Sequence, residues 1–112
     1  QKAVLTNDAD AIEGYLAPYL DRFFSFGPQP KSYVLAEHRK YLQRWETIFI
    51  APEPSSWVAR KVPGGVEVST TINLVLRRRS DGVRKGFRIR RIIVLDENDL
   101  IIHLDEVILE RS

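Results

Sequence analysis

Val66-Glu67-Val68-Ser69-Thr70-Thr71-Ile72-Asn73-Leu74-Val75-Leu76-Arg77 carries the most regular apolar–polar alternation in the chain. Successive strand residues point to opposite sheet faces, so Val66, Val68, Thr70, Ile72, Leu74 and Leu76 share one face and the intervening side chains share the other. The first face suits a core; the second suits water or a partner. Just downstream, Ser80-Asp81-Gly82-Val83 contains the Asp-Gly pair favoured in two-residue hairpin turns, which need positive φ. Reversal there sets Leu76 opposite Phe87, Leu74 opposite Ile89, Ile72 opposite Arg91 and Thr70 opposite Ile93. Arg91 alone then interrupts an apolar inner face, while Val75 meets Arg88 and Asn73 meets Arg90 outside.

A second turn over Asp96–Asp99 leads into a strand from Leu100 to Leu109. With Glu97-Asn98 as its central residues, Arg91 lies opposite Leu104 and is the diagonal neighbour of Glu106 on the core side. The same register puts Asp105 opposite Arg90 and His103 opposite Ile92, and a one-residue bulge would change all of these pairings. An isolated buried arginine is costly, so Arg91 with Glu106 reads either as a structural ion pair or as the polar end of a pocket.

Eight of the seventeen basic residues fall between Arg77 and Arg91, with Asp81 the one acid among them. Strand alternation divides this cluster into an inward Arg91 and an accessible group of Arg77, Arg79, Arg84, Lys85, Arg88 and Arg90. Three readings of that group compete: a solvated face partly paired with Asp105, a protein or homodimer interface, and a surface for an anionic polymer or lipid head. With no recognition helix and no aromatic sheet platform, specific nucleic-acid binding has no support.

Upstream, Thr6, Asn7 and Asp8 offer N-caps, and Ile12, Tyr15, Leu16, Tyr19, Leu20 and Phe23 recur at helical spacing, with Pro18 bending or dividing the helix. The run Ser25-Phe26-Gly27-Pro28-Gln29-Pro30 stops it. A second helix is expected from Lys31 or Ser32 to Trp45, with Val34, Leu35, Tyr41, Leu42 and Trp45 near one face, His38 beside it and Glu37 mostly outside. Thr47–Ile50 and Trp57–Val62 read as strands, and Pro63-Gly64-Gly65 as a turn. Helices followed by an antiparallel sheet give an α+β fold: N-terminal helices packed on a strongly curved antiparallel sheet, a cone-like half-barrel with a concave interior.

At 112 residues the chain suits one domain, 1–112. It starts at Gln1 and lacks methionine, which suggests a piece of a longer or processed protein. Its hydrophobic content of 44% and formal charge of +2 fit an ordinary globular chain with local, not global, positive potential. No apolar run reaches the roughly 18 residues of a membrane helix. Without cysteine there is no disulfide or thiolate chemistry, and the compartment stays open among periplasmic, secreted and cytoplasmic.

The helix–strand order and the run Tyr33-Val34-Leu35-Ala36-Glu37-His38-Arg39-Lys40-Tyr41-Leu42-Gln43-Arg44-Trp45 resemble the nuclear-transport-factor-2-like (SnoaL-like) superfamily, in particular its small bacterial domains, over roughly residues 5 to 110. The resemblance implies a helical layer on a bent sheet, with dimerisation in many members through the sheet's outer face. Members include isomerases, hydratases and cyclases as well as noncatalytic binding domains. Isomerase chemistry in the superfamily pairs a carboxylate base with a tyrosine or acid. The candidates here are Glu106 or Asp105 with Tyr15 or Tyr19, alongside His38, and an arginine beside Glu106 would weaken it as a base.

No phosphate loop, zinc-protease motif or calcium loop occurs, and no metal or cofactor is expected. The sequence therefore reads first as a noncatalytic ligand- or protein-binding accessory domain, with a small isomerase or hydratase as the alternative. Tyr15, Tyr19, His38, Trp45, Arg91 and Glu106 are the pocket candidates, for a small apolar or anionic ligand. Arg77, Arg88, Arg90, His103 and Asp105 are the interface candidates, toward a second copy or other domains of the parent protein.

Overall fold

The structure is a computed structural model that describes residues 12–112. The helix caps expected at Thr6, Asn7 and Asp8 lie outside this range. Short strands β1 (Tyr19–Leu20), β2 (Arg22–Phe23) and β3 (Gln29–Pro30) precede helix α1 (Lys31–Arg44). Strands β4 (Trp45–Pro52), β5 (Val58–Val62), β6 (Gly65–Arg78), β7 (Arg84–Leu95) and β8 (Ile101–Arg111) follow. The main sheet has six strands in the order β2-β8-β7-β6-β4, with β5 also paired to β6, and it does not close into a barrel. All its pairs are antiparallel except β2 with β8, so the sheet is mixed where a purely antiparallel one was expected. The architecture is α+β, with α1 laid over one sheet face.

The segment through Phe23, expected as a helix bent or divided at Pro18, is not helical beyond Glu13. Gly14 and Tyr15 form a turn, and the extended chain that follows hydrogen-bonds to the start of β8: Ala17 N–H donates to Ile101 O at 3.0 Å and Ile101 N–H to Tyr15 O at 2.7 Å. Pro18 cannot donate within a helix, whereas here its carbonyl accepts from Lys31 N–H at 3.0 Å. Leu16, Leu20 and Phe23 are buried as their spacing suggested, yet Tyr15 and Tyr19 are 45% and 55% exposed. A strand turns Tyr19 and Leu20 to opposite sides, which a helical reading of the same spacing cannot show.

Helix α1 starts where expected and ends at Arg44, one residue short of the expected Trp45. Arg79 caps its far end: its backbone N–H donates to Arg44 O and its Nε–H to Leu42 O, both at 2.9 Å, satisfying carbonyls that a helix terminus leaves open. Trp45 begins β4, and the guanidinium of Arg78 lies 5.6 Å from its ring centroid.

The β6–β7 hairpin is offset by two residues from the predicted register. Ile72 pairs with Ile89, Leu74 with Phe87 and Thr70 with Arg91. Arg79–Gly82 form the loop, closed by Arg78 N–H to Val83 O at 2.9 Å, and Gly82 has φ of +75°. An even offset leaves every side chain on its predicted face. At the next turn Asp99 adopts φ of +60°, and Asp96 Oδ1 accepts from the Asn98 and Leu100 amides at 2.8 and 3.0 Å. Leu95 pairs with Ile101 where Leu100 was expected, and an irregularity between Val94 and Leu95 adds a further shift, so Arg91 lies directly opposite Glu106 and not diagonal to it. Asp105 faces Ile92 and His103 faces Val94, which corrects their expected positions opposite Arg90 and Ile92.

Two apolar clusters result on the helix side of the sheet. One joins Ile12, Leu16, Leu20, Val34, Ile93 and Ile101, among others; the second joins Ile72, Leu74, Leu76 and Ile89, flanked by Tyr41 and Trp45. The row Thr70–Arg91–Glu106 crosses the same face.

Candidate functional site

Val34, Glu37, His38 and Tyr41 recur at three- and four-residue spacing on α1, and all four line a cavity of about 320 Å³ over the sheet. Alternate residues of β6, β7 and β8 supply the floor: Leu74 and Leu76, then Phe87, Ile89 and Arg91, then Leu104, Glu106 and Ile108. Phe23, Phe24 and Phe26, from β2 and the short turn after it, supply aromatic wall. The cavity therefore draws its lining from both apolar clusters.

Two of its polar groups are bonded to each other. Arg91 Nε and Nη2 lie 2.7 and 2.6 Å from the same oxygen, Glu106 Oε2. Burial, reinforced by the negative charge of Glu106, pushes the Tyr41 phenol above its ordinary pKa, while Arg91 and the hydroxyl of Thr47 pull the other way. Tyr41 thus stays a neutral hydrogen-bonding phenol beside the ion pair. The His38 ring stacks on Tyr41 with centroids 5.9 Å apart.

Of the pocket candidates read from sequence, the fold brings His38, Arg91 and Glu106 to the cavity lining. Tyr15, in the turn, and Tyr19, in β1, are exposed and do not line the cavity, and Trp45 packs with the second apolar cluster without lining it. Tyr41, placed on the apolar helix face but not among the site candidates, is the tyrosine beside Glu106. Glu37 was assigned to solvent, yet it follows Val34 by three residues and precedes Tyr41 by four, a spacing that signalled a shared face.

On the outer sheet face Arg77, Arg88 and Arg90 each have a polar partner. Glu53 accepts from Arg88 Nε at 2.6 Å and Nη2 at 3.0 Å, and from Asn73 at 3.1 Å. Arg90 donates to Ser69 Oγ at 2.7 Å and Thr71 Oγ1 at 3.2 Å, and Arg77 pairs with Glu46. Asp105 binds Arg22 at 3.0 Å, so the expected pairing of the stripe with Asp105 gives way to Glu46 and Glu53 on or beside β4. Among the described residues no cluster of His, Asp or Glu is arranged to hold a metal ion, and no helix is long and apolar enough to cross a membrane.

No protein-family model and no curated protein matches the sequence. Solved structures do match. A protein assigned as a SnoaL-like polyketide cyclase, from Mesorhizobium loti, superposes with a TM-score of 0.71 at 12% identity, covering 95% of this chain and 90% of that one. A nuclear-transport-factor-2-like protein from Cytophaga hutchinsonii gives 0.62 at 18% identity, over 96% and 88% of the two chains. The chain has the nuclear-transport-factor-2-like fold. An LEH-like epoxide hydrolase from Mycobacterium tuberculosis shares it, with a TM-score of 0.65, 13% identity and coverage of 96% and 74%. In this fold the cavity lies on the sheet face that carries α1, and Arg77, Arg88 and Arg90 occupy the opposite face.

Proposed function

We propose that the domain is a noncatalytic binding module whose cavity takes one small, mostly apolar molecule. The observation that carries this reading is the cavity itself: about 320 Å³, walled by phenylalanine, leucine and isoleucine, with a few convergent polar groups. That is the small end of the roughly 300–1,000 Å³ typical of small-molecule pockets. Apolar wall supplies affinity, while Tyr41, His38 and the Arg91–Glu106 pair orient the ligand's polar end.

Catalysis is the second reading, supported by the names of structural neighbours and by Tyr41 beside Glu106. Against it, Glu106 is already bonded twice through one oxygen by Arg91, and a general base must reach and take a substrate proton. The outer face favours a second copy of the chain as macromolecular partner. Phe49, Val58 and Val107 are about half exposed there, at 52%, 50% and 49%, beside the Arg88 and Arg90 rows.

Titration of naphthalenemethanol by calorimetry tests the pocket. Saturable binding that Ile108→Trp abolishes is expected, because Ile108 lines the cavity while 45% exposed and so lies at its mouth. Recovery of the compound chemically unchanged fits a module without catalysis; no binding sinks the pocket reading. For the outer face, Arg88→Glu with Arg90→Glu should lower the solution mass of a self-associating species, and an unchanged mass rejects that contact.

A further inference from the structure

We infer that the cavity selects a ligand with a cationic head, an apolar molecule carrying an ammonium group. This rests on the cavity being a small-molecule pocket, and it departs from the small apolar or anionic ligand expected from sequence. The decisive quantity is which member of the ion pair is accessible. The Arg91 side chain is 6% exposed, whereas that of Glu106 is 25% exposed. Arg91 is therefore the buried support of the pair, and the carboxylate is the charge shown to an incoming molecule.

A second carboxylate points the same way. Glu37 lines the cavity and its side chain is 29% exposed; its counter-ion Lys40 meets it at 3.3 Å from a side chain that is 69% exposed. An exposed pair of this kind is weak and readily exchanged for a better placed cation. Two carboxylates thus meet one guanidinium that is already engaged. The wall is suited to the same ligand, since Phe23, Phe24, Phe26, Tyr41 and Phe87 all line the cavity and aromatic faces attract cations. A carboxylate-bearing ligand would meet Glu106 and Glu37 at close range in a poorly solvated space.

Three probes of one shape separate the possibilities: naphthylmethylamine, naphthalenemethanol and naphthoic acid, titrated by calorimetry at about pH 8, where an ordinary imidazole is uncharged. The amine is expected to bind about tenfold or more tighter than the alcohol, the range of a charge-assisted hydrogen bond, and the acid weakest. Glu106→Gln should erase most of the amine-to-alcohol ratio. Because that variant leaves Arg91 without its carboxylate and can unfold, Glu37→Gln is the second test, with a smaller fall in the same ratio. Equal affinity for amine and alcohol, tighter binding of the acid, or a ratio unmoved by Glu37→Gln and by a folded Glu106→Gln overturns the inference while the pocket stands. Failure of all three probes to bind overturns the pocket and the inference together.

Discussion

Removing the Glu106 carboxylate should destabilise the fold far more than its partly exposed position suggests. In Glu106→Ala, Arg91 keeps its charge at 6% side-chain exposure and loses hydrogen bonds of 2.6 and 2.7 Å. Breaking one side of a buried pair costs about 3–5 kcal/mol. We expect about 3 kcal/mol, the lower end of that range, because the adjoining cavity gives water a path to the guanidinium. That loss corresponds to a midpoint lowered by about 1–2 M in urea and a Tm lowered by about 10 °C or more. The double variant Arg91→Leu, Glu106→Leu removes both charges and should recover most of the stability, giving a large coupling between the two sites. The assay is urea unfolding followed by far-ultraviolet circular dichroism with matched m values. A Glu106→Ala midpoint close to wild type, or a double variant less stable than Glu106→Ala alone, would refute the reasoning.

The hydrogen bonds from Arg88 hold the Glu53 carboxyl below the usual carboxylate range, against an opposing contribution from burial and with further help from Asn73. Its folded value is depressed, so its stabilising contribution is complete above the unfolded value of about 4.3 and disappears as pH falls through the folded value. Glu53→Gln should flatten that part of the acid-unfolding curve measured by circular dichroism. The raised Tyr41 value has the opposite sense: its contribution is full below the ordinary tyrosine value of about 10 and is lost as pH rises through the folded value. Absorbance titration should show one late tyrosine ionisation, absent in Tyr41→Phe. Gly65→Ala would place a Cβ 1.8 Å from Leu95 O, a backbone atom, and should cost about 1–3 kcal/mol in thermal or urea unfolding.

Spacing was legible where one element's own period decided the outcome. The alternation over Val66–Arg77 gave β6 and the faces of its residues, and the stripe from Val34 to Tyr41 gave α1. Spacing failed where hydrogen-bond partners decide. Leu16, Leu20 and Phe23 bury through extended chain and short strands beside β8, and a period of three or four cannot tell that from a helix. The inward direction of Arg91 was legible because an offset of two residues conserves the face. Its direct pairing with Glu106 depends on the turn length and on the irregularity between Val94 and Leu95, which leave no sequence mark. The place of Tyr41 beside Glu106 and the ion pairs of Glu46 and Glu53 depend on contacts between elements distant in sequence, which no local spacing encodes.

The most direct test of the ligand-binding account is a crystal structure of the protein soaked with naphthalenemethanol. The account predicts ring density between Phe23 and Leu74, with the hydroxyl turned toward Tyr41 and the Arg91–Glu106 pair. A cavity closed by rotated side chains, or the probe bound only on the outer sheet face, would contradict it.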